Sequence, residues 1–118
     1  MSDLKNHRKF GLPDTLISKV KGVFLKHDSV LEVRLFGSRA LGSFKEGSDI
    51  DLAVYGTKLN LDTILKIKVD LNLLHSPYSF DIVNMSEAID SSLKEHIDRV
   101  GILFFSQKTS LDPSVVKG

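Results

Sequence analysis

Behind Leu12-Pro13-Asp14, apolar residues recur at Leu16, Ile17, Val20, Val23 and Phe24. That spacing predicts a helix running to about His27, with proline accommodated in its first turn. Leu31, Val33 and Leu35 then alternate with Glu32 and Arg34, the signature of a strand with one buried face. Ser38 to Leu41 reads as one helical turn stopped by Gly42, and residues 43–47 as a polar loop. A second strand follows from Ser48 to Tyr55, with Ile50, Leu52 and Val54 facing one way. Asn60 is the N-cap of a helix to about Leu74, with Leu61, Ile64, Leu65, Leu71 and Leu74 inward, and Ser76-Pro77 breaks it. Phe80 to Val83 is a third strand. Ser86 is expected to cap a last helix, with Ala88, Ile89, Leu93, Ile97 and Val100 inward, ending at Gly101. Ile102 to Phe105 closes the series as a short strand.

The order α-β-turn-β-α-β-α-β predicts an α+β fold: a small mixed sheet with helices packed mainly on one face. Residues 12–105 form the single domain. Residues 1–11 read as a polar lead-in and 106–118 as a flexible tail. With 118 residues there is room for one core and no more. Hydrophobic residues make up 42% and charged residues 26%, the balance of an ordinary globular chain. The net charge is +1 with no block of like charge, which argues against a broad nucleic-acid surface. There is no cysteine, so thiolate chemistry, disulfides and Cys-based zinc sites are excluded. No secretory signal is read at the start, and no run approaches the ~20 apolar residues of a membrane span. A cytoplasmic protein is expected.

Chemistry concentrates in two places. In the second strand Asp49 and Asp51 share one face with Ala53 and Tyr55, because strand side chains alternate with period two. Aspartate is disfavoured in strands, and two neighbouring carboxylates repel unless a proton or a cation lies between them. Oxygen donors without cysteine or clustered histidine select a hard cation, and Mg²⁺ characteristically combines one or two carboxylates with substrate phosphates. Ahead of them, Gly37-Ser38 opens a helical turn whose glycine admits a phosphate close to the backbone and whose hydroxyl and N–H groups can donate to it. Asp81, opposite in direction to Phe80 and Ile82, is the candidate third carboxylate on a neighbouring strand. With it, two metal ions could be held, one for the attacking hydroxyl and one for the leaving pyrophosphate. A P-loop is rejected for residues 37–43, since Ser43 stands where its lysine belongs. His7, His27, His75 and His96 lack ligand spacing and read as surface or capping residues. Tyr55 reads as rim packing rather than a base platform, and Lys108 and Lys117 as solvated.

Phe36-Gly37-Ser38-Arg39-Ala40-Leu41-Gly42, followed by Gly47-Ser48-Asp49-Ile50-Asp51-Leu52 and Phe80-Asp81-Ile82-Val83, resembles the minimal nucleotidyltransferases of the DNA polymerase beta-like superfamily. The resemblance spans residues 12–105 and implies the nucleotidyltransferase fold. It implies Gly37, Ser38, Arg39 and Ser48 on the phosphate side and Asp49, Asp51 and Asp81 as metal-binding and catalytic residues. It also implies Mg²⁺, two ions, with ATP as substrate. One departure is Leu41, where such proteins often carry a basic residue.

Larger relatives have a second domain for the acceptor, so here a partner or a second copy must supply that surface. Small members resembling this chain commonly pair with a HEPN-family protein as its antitoxin, in some cases by placing AMP on a tyrosine of the toxin. Transfer of AMP from ATP to such a hydroxyl is therefore the leading expectation. The first alternative is a non-catalytic module that neutralises its partner by occlusion. The second is a transferase acting on a small molecule such as an aminoglycoside.

Overall fold

The computed structural model describes residues 8–87 and 89–107. Its centre is a four-stranded sheet built from β3 (Val30–Phe36), β4 (Ile50–Gly56), β5 (Phe80–Asn84) and β6 (Ile102–Ser106), in the spatial order β5-β4-β3-β6. β3 lies antiparallel to both β4 and β6, whereas β4 and β5 run parallel. A parallel neighbour needs a long crossover. Here α3 (Leu61–Asn72) provides it; α1 (Asp14–Leu25), α2 (Ser38–Leu41) and α4 (Ser91–Val100) complete the helices.

α1 and α3 cover one face of the sheet. Leu16, Ile17, Val20, Val23 and Phe24 of α1, and Ile64, Ile67 and Leu71 of α3, are buried against Val33, Leu35, Leu52, Val54 and Ile82. Each such side chain contributes roughly 1.5–3 kcal/mol by leaving water, which makes this the stabilising half of the molecule. α4 lies on the other face over a smaller cluster of Phe36, Ala53 and Ile97. Most of the helical mass thus sits on one side, as the pattern of the chain predicts.

Several local expectations are corrected. Before α1, residues 8–13 form a hairpin of β1 (Arg8–Lys9) and β2 (Leu12–Pro13) rather than a formless lead-in. Its two-residue turn, Phe10-Gly11, has φ of 60° and 73°, the positive pair that a tight hairpin turn requires. α1 begins after it, with extended Pro13 as N-cap. In β3 the register shifts between Val30 and Glu32, so Val30 is buried and Leu31 only half-buried.

On α3 the expected inward residues Leu61 and Leu65 are 67% and 48% exposed, and Ile67 takes the core place instead. An apolar residue at nearly every second position offers the helix more than one face, and only packing on the sheet chooses between them. Asn60 does cap α3, its side chain accepting from Thr63 N at 2.9 Å. α4 is capped by Asp90, which accepts from Ser92 N and Leu93 N, and not by Ser86. Ser86 instead closes a turn on the Asn84 side-chain oxygen. Ala88, expected on the inner face of that helix, lies outside the described residues.

At the C-terminal end, Ser106 pairs with Glu32 within β6. Gln107 is bonded to the carbonyls of Leu31, His27 and Val30. The lead-in residues 1–7, with His7, and the remaining tail with Lys108 and Lys117 lie outside the described residues. Among the described residues no helix is long and apolar enough to cross a membrane.

Candidate nucleotidyl-transfer site

The end of β3 and the starts of β4, β5 and β6 meet at one edge of the sheet. Asp51 is aligned with Phe36 across the β3–β4 pair and with Asp81 across the β4–β5 pair. Aligned residues of neighbouring strands share a face, so Asp51 and Asp81 stand side by side on the α4 side. Asp49, one residue before β4, is exposed next to buried Ile50, and Asp51 is half-buried.

Burial, above all, raises the Asp51 carboxyl above the ordinary carboxylate range, and the negative charges of Asp81 and Asp49 push the same way. Arg39 and His96 partly oppose them. Burial and neighbouring like charge thus both disfavour the ionised form of Asp51.

Gly37 follows Phe36 directly and turns the chain into α2 with φ of 78°, a conformation that side chains disfavour. Steric contact makes glycine necessary here for a second reason. A Cβ at this position would overlap Asp51 Oδ2 and lie 3.1 Å from its Cγ. The glycine-serine turn and the carboxylate thus occupy adjoining space, joining the two chemistries that are separate along the chain. Ser38 begins the single turn of α2, whose carbonyls are closed by Ala40 and Leu41 N–H groups on Gly37 and by Ser43 on Ser38.

Two residues expected on the phosphate side are engaged elsewhere. Arg39 is 2% exposed, and its Nε and Nη2 donate to the Ser48 carbonyl at 3.1 and 2.8 Å, while Nη1 donates to the Phe10 carbonyl at 2.8 Å. The rings of Phe44 and Tyr78 lie 5.0 Å from its guanidinium carbon. Ser48 Oγ accepts from Lys45 N at 2.8 Å, and Ser48 N donates back to the Lys45 carbonyl. Arg39 and Ser48 are thus engaged in holding the 45–48 loop that leads into Asp49 and Asp51. Buried charge in this geometry is stable because planar donors meet several acceptors at once. Leu41 is 57% exposed, so no guanidinium replaces the missing basic residue there.

His96 is the residue that sequence reasoning set aside. α4 carries it to the site edge, where its ring meets Phe36 edge-on at 6.2 Å. Nothing in the spacing of the histidines points to this; only the helix-to-sheet packing does. Tyr55 lies further along the same face, near the Arg34 guanidinium.

The donor set suits a hard divalent ion: carboxylate oxygens on one open surface, a glycine cradle beside them and no sulfur ligand. Among the described residues no three His, Asp or Glu side chains close around one point.

The family model of polymerase beta nucleotidyltransferases matches residues 18–110. Among proteins of curated function, none is similar enough in sequence to count as a relative. Among solved structures, the chain is similar to a protein of a toxin-antitoxin complex with AMP-PNP, with a TM-score of 0.65 and 20% identity over 85% of this chain and 81% of that one. It is also similar to a chain of the complex between the tri-AMPylated Shewanella oneidensis HEPN toxin and an MNT antitoxin, with a TM-score of 0.60 and 17% identity over 87% and 80%. A chain of the MntA–HepT toxin-antitoxin complex gives 0.61 and 17% over 87% and 80%. At these identities the likeness to solved structures is one of fold.

Proposed function

Since this chain belongs to the polymerase beta nucleotidyltransferase family, we propose that it transfers AMP from ATP to a hydroxyl of a protein partner, and that the partner is a HEPN-family toxin modified on tyrosine. One observation carries the reading most directly. The Gly37 turn abuts the Asp51 carboxylate, and Asp51 is aligned with Asp81, so a phosphate held by the turn lies beside the acidic pair.

In this mechanism Gly37 admits the triphosphate close to the backbone and Ser38 donates to it. Asp49, Asp51 and Asp81 would hold Mg²⁺, which when bound neutralises their mutual repulsion and draws negative charge from the phosphates. The acceptor oxygen forms a bond to the α-phosphorus while the bond from that phosphorus to the bridging oxygen breaks. Pyrophosphate leaves, and the acceptor proton passes to Asp81, exposed at the mouth of the site. Arg39 keeps the 45–48 loop, and with it Asp49 and Asp51, in place through the reaction.

The solved relatives support the partner class: one complex contains AMP-PNP, and another pairs an MNT antitoxin with an AMP-bearing HEPN toxin. A specific observation favours a second reading, neutralisation by occlusion alone. With Arg39 buried and leucine at position 41, the phosphate side lacks an exposed guanidinium in α2.

The experiment that separates them is transfer of label from α-phosphate-labelled ATP with Mg²⁺ in cell extract, beside the Asp49→Asn, Asp51→Asn double variant. A protein band labelled by the native chain alone establishes protein nucleotidylylation and yields the acceptor by mass. Absence of label from folded native protein, with partner binding retained by the double variant, leaves occlusion.

A further inference from the structure

We propose that His96 is an acceptor-binding residue, its imidazole hydrogen-bonding the incoming hydroxyl on the α4 side of the acidic pair. This rests on the nucleotidyl-transfer reading above and adds to it the group that receives the acceptor.

The placement follows from the path of the chain. α4 starts after β5 has run away from the site edge, returns across the sheet face that carries Asp51 and Asp81, and hands the chain to β6 at Ile102, which is aligned with Leu35. Its C-terminal half therefore flanks the site. Ile97 anchors that half by full burial on Phe36 and Ala53. Beside it on the helix, the His96 ring is set edge-on against Phe36.

Phe36 is at once the cross-strand partner of Asp51 and the residue before Gly37. His96 is thus packed on the residue that joins the two halves of the site. The field of His96 reaches Asp51. His96 is half-buried, and among the described residues its ring nitrogens have no hydrogen-bond partner. The phosphate side is supplied by α2 on the Gly37 turn; α4 arrives from a different element, where a nucleophile rather than a triphosphate has to be received. An imidazole there offers a polar nitrogen on a rigid helix, as a transferred hydroxyl needs for orientation.

The test compares His96→Phe, which keeps the aromatic packing on Phe36 without a polar nitrogen, with His96→Gln, which keeps a hydrogen-bonding group. Lys94→Ala, on the same helix, serves as control. Initial rates with labelled ATP are measured against the acceptor protein identified in extract. N-acetyltyrosinamide is the probe if no protein is labelled. Thermal shift by Mg²⁺ and ATP is measured in parallel.

The expected result is a rise of about tenfold in the KM for the acceptor in His96→Phe, the scale of one lost hydrogen bond. The KM for ATP and the nucleotide-induced thermal shift should stay within twofold, and His96→Gln should recover most of the loss. Unchanged acceptor KM in His96→Phe overturns the role of His96 while transfer by the native chain stands. Equal rises in both KM values overturn it as well, since His96 would then support the whole site. If the native chain labels neither acceptor and shows no nucleotide shift, the transfer reading fails and the role of His96 falls with it.

Discussion

The two faces of the central sheet are made from the same strands, residue by residue. Leu35, Leu52, Val54 and Ile82 point to one side and are sealed under α1 and α3. Phe36, Asp51, Ala53 and Asp81 point to the other, where α4 covers only part of the surface. The first face gains stability from every side chain it buries. The second spends some of that stability by setting two carboxylates side by side on neighbouring strands. A one-residue slip of β4 would exchange the two faces, placing aspartates in the core and leucines at the site. The apolar face therefore does more than stabilise, because it holds the register that brings Asp51 to Asp81.

The strongest way to separate the faces is Asp51→Asn. Transfer should fall by about 10³-fold, the scale at which a group steadying transition-state charge is removed, while the fold without nucleotide becomes more heat-stable at neutral pH. Labelled-ATP assays and thermal melts on one preparation check both signs. Its mirror image is Leu52→Ala, one residue along the same strand and fully buried on the other face. That change should cost about 2–5 kcal/mol of stability by denaturant unfolding.

Gly37→Ala tests the join between the halves. Its added methyl collides with Asp51 and its backbone is strained, so a loss of roughly 1–3 kcal/mol together with impaired transfer is expected. The pH dependence sharpens the same contrast. Because the folded chain holds Asp51 above the ordinary carboxylate range, its ionised form is penalised at neutral pH. That penalty should lift as pH falls through the raised value and be gone below the ordinary one, so the stability gap between native and Asp51→Asn proteins should close in acid. Melts at matched ionic strength across the acid range measure it, and a gap that widens on acidification contradicts the assignment. The smallest effect belongs to Leu61→Gln on the outer side of α3, where exposure limits the change to within about 0.5 kcal/mol.

Much of this was legible along the chain. The alternation along the second strand puts Asp51, Ala53 and Tyr55 on one face, and the glycine-serine pair before a helical turn is where the chain bends beside Asp51. Those are local properties: strand period, glycine conformation and carboxylate chemistry hold wherever the segment goes. α3 shows where local reasoning ran out. Leu61, Ile64, Leu65, Ile67, Val69, Leu71 and Leu73 are all apolar, and the helix becomes two-faced only once the sheet takes Ile64, Ile67 and Leu71.

Arg39 shows it again, since nothing near it in the chain reveals that the carbonyls of Ser48 and Phe10 close around its guanidinium. Sequence alone therefore determined the elements from α1 to β6 and the face that Asp51 shares with Ala53 and Tyr55, because these depend on neighbours two to four residues apart. Tertiary structure alone decided the alignment of Asp51 with Asp81, the burial of Arg39 and the arrival of His96 on Phe36. Each of these joins residues between nine and sixty positions apart, and only the packed sheet and its helices set such distances.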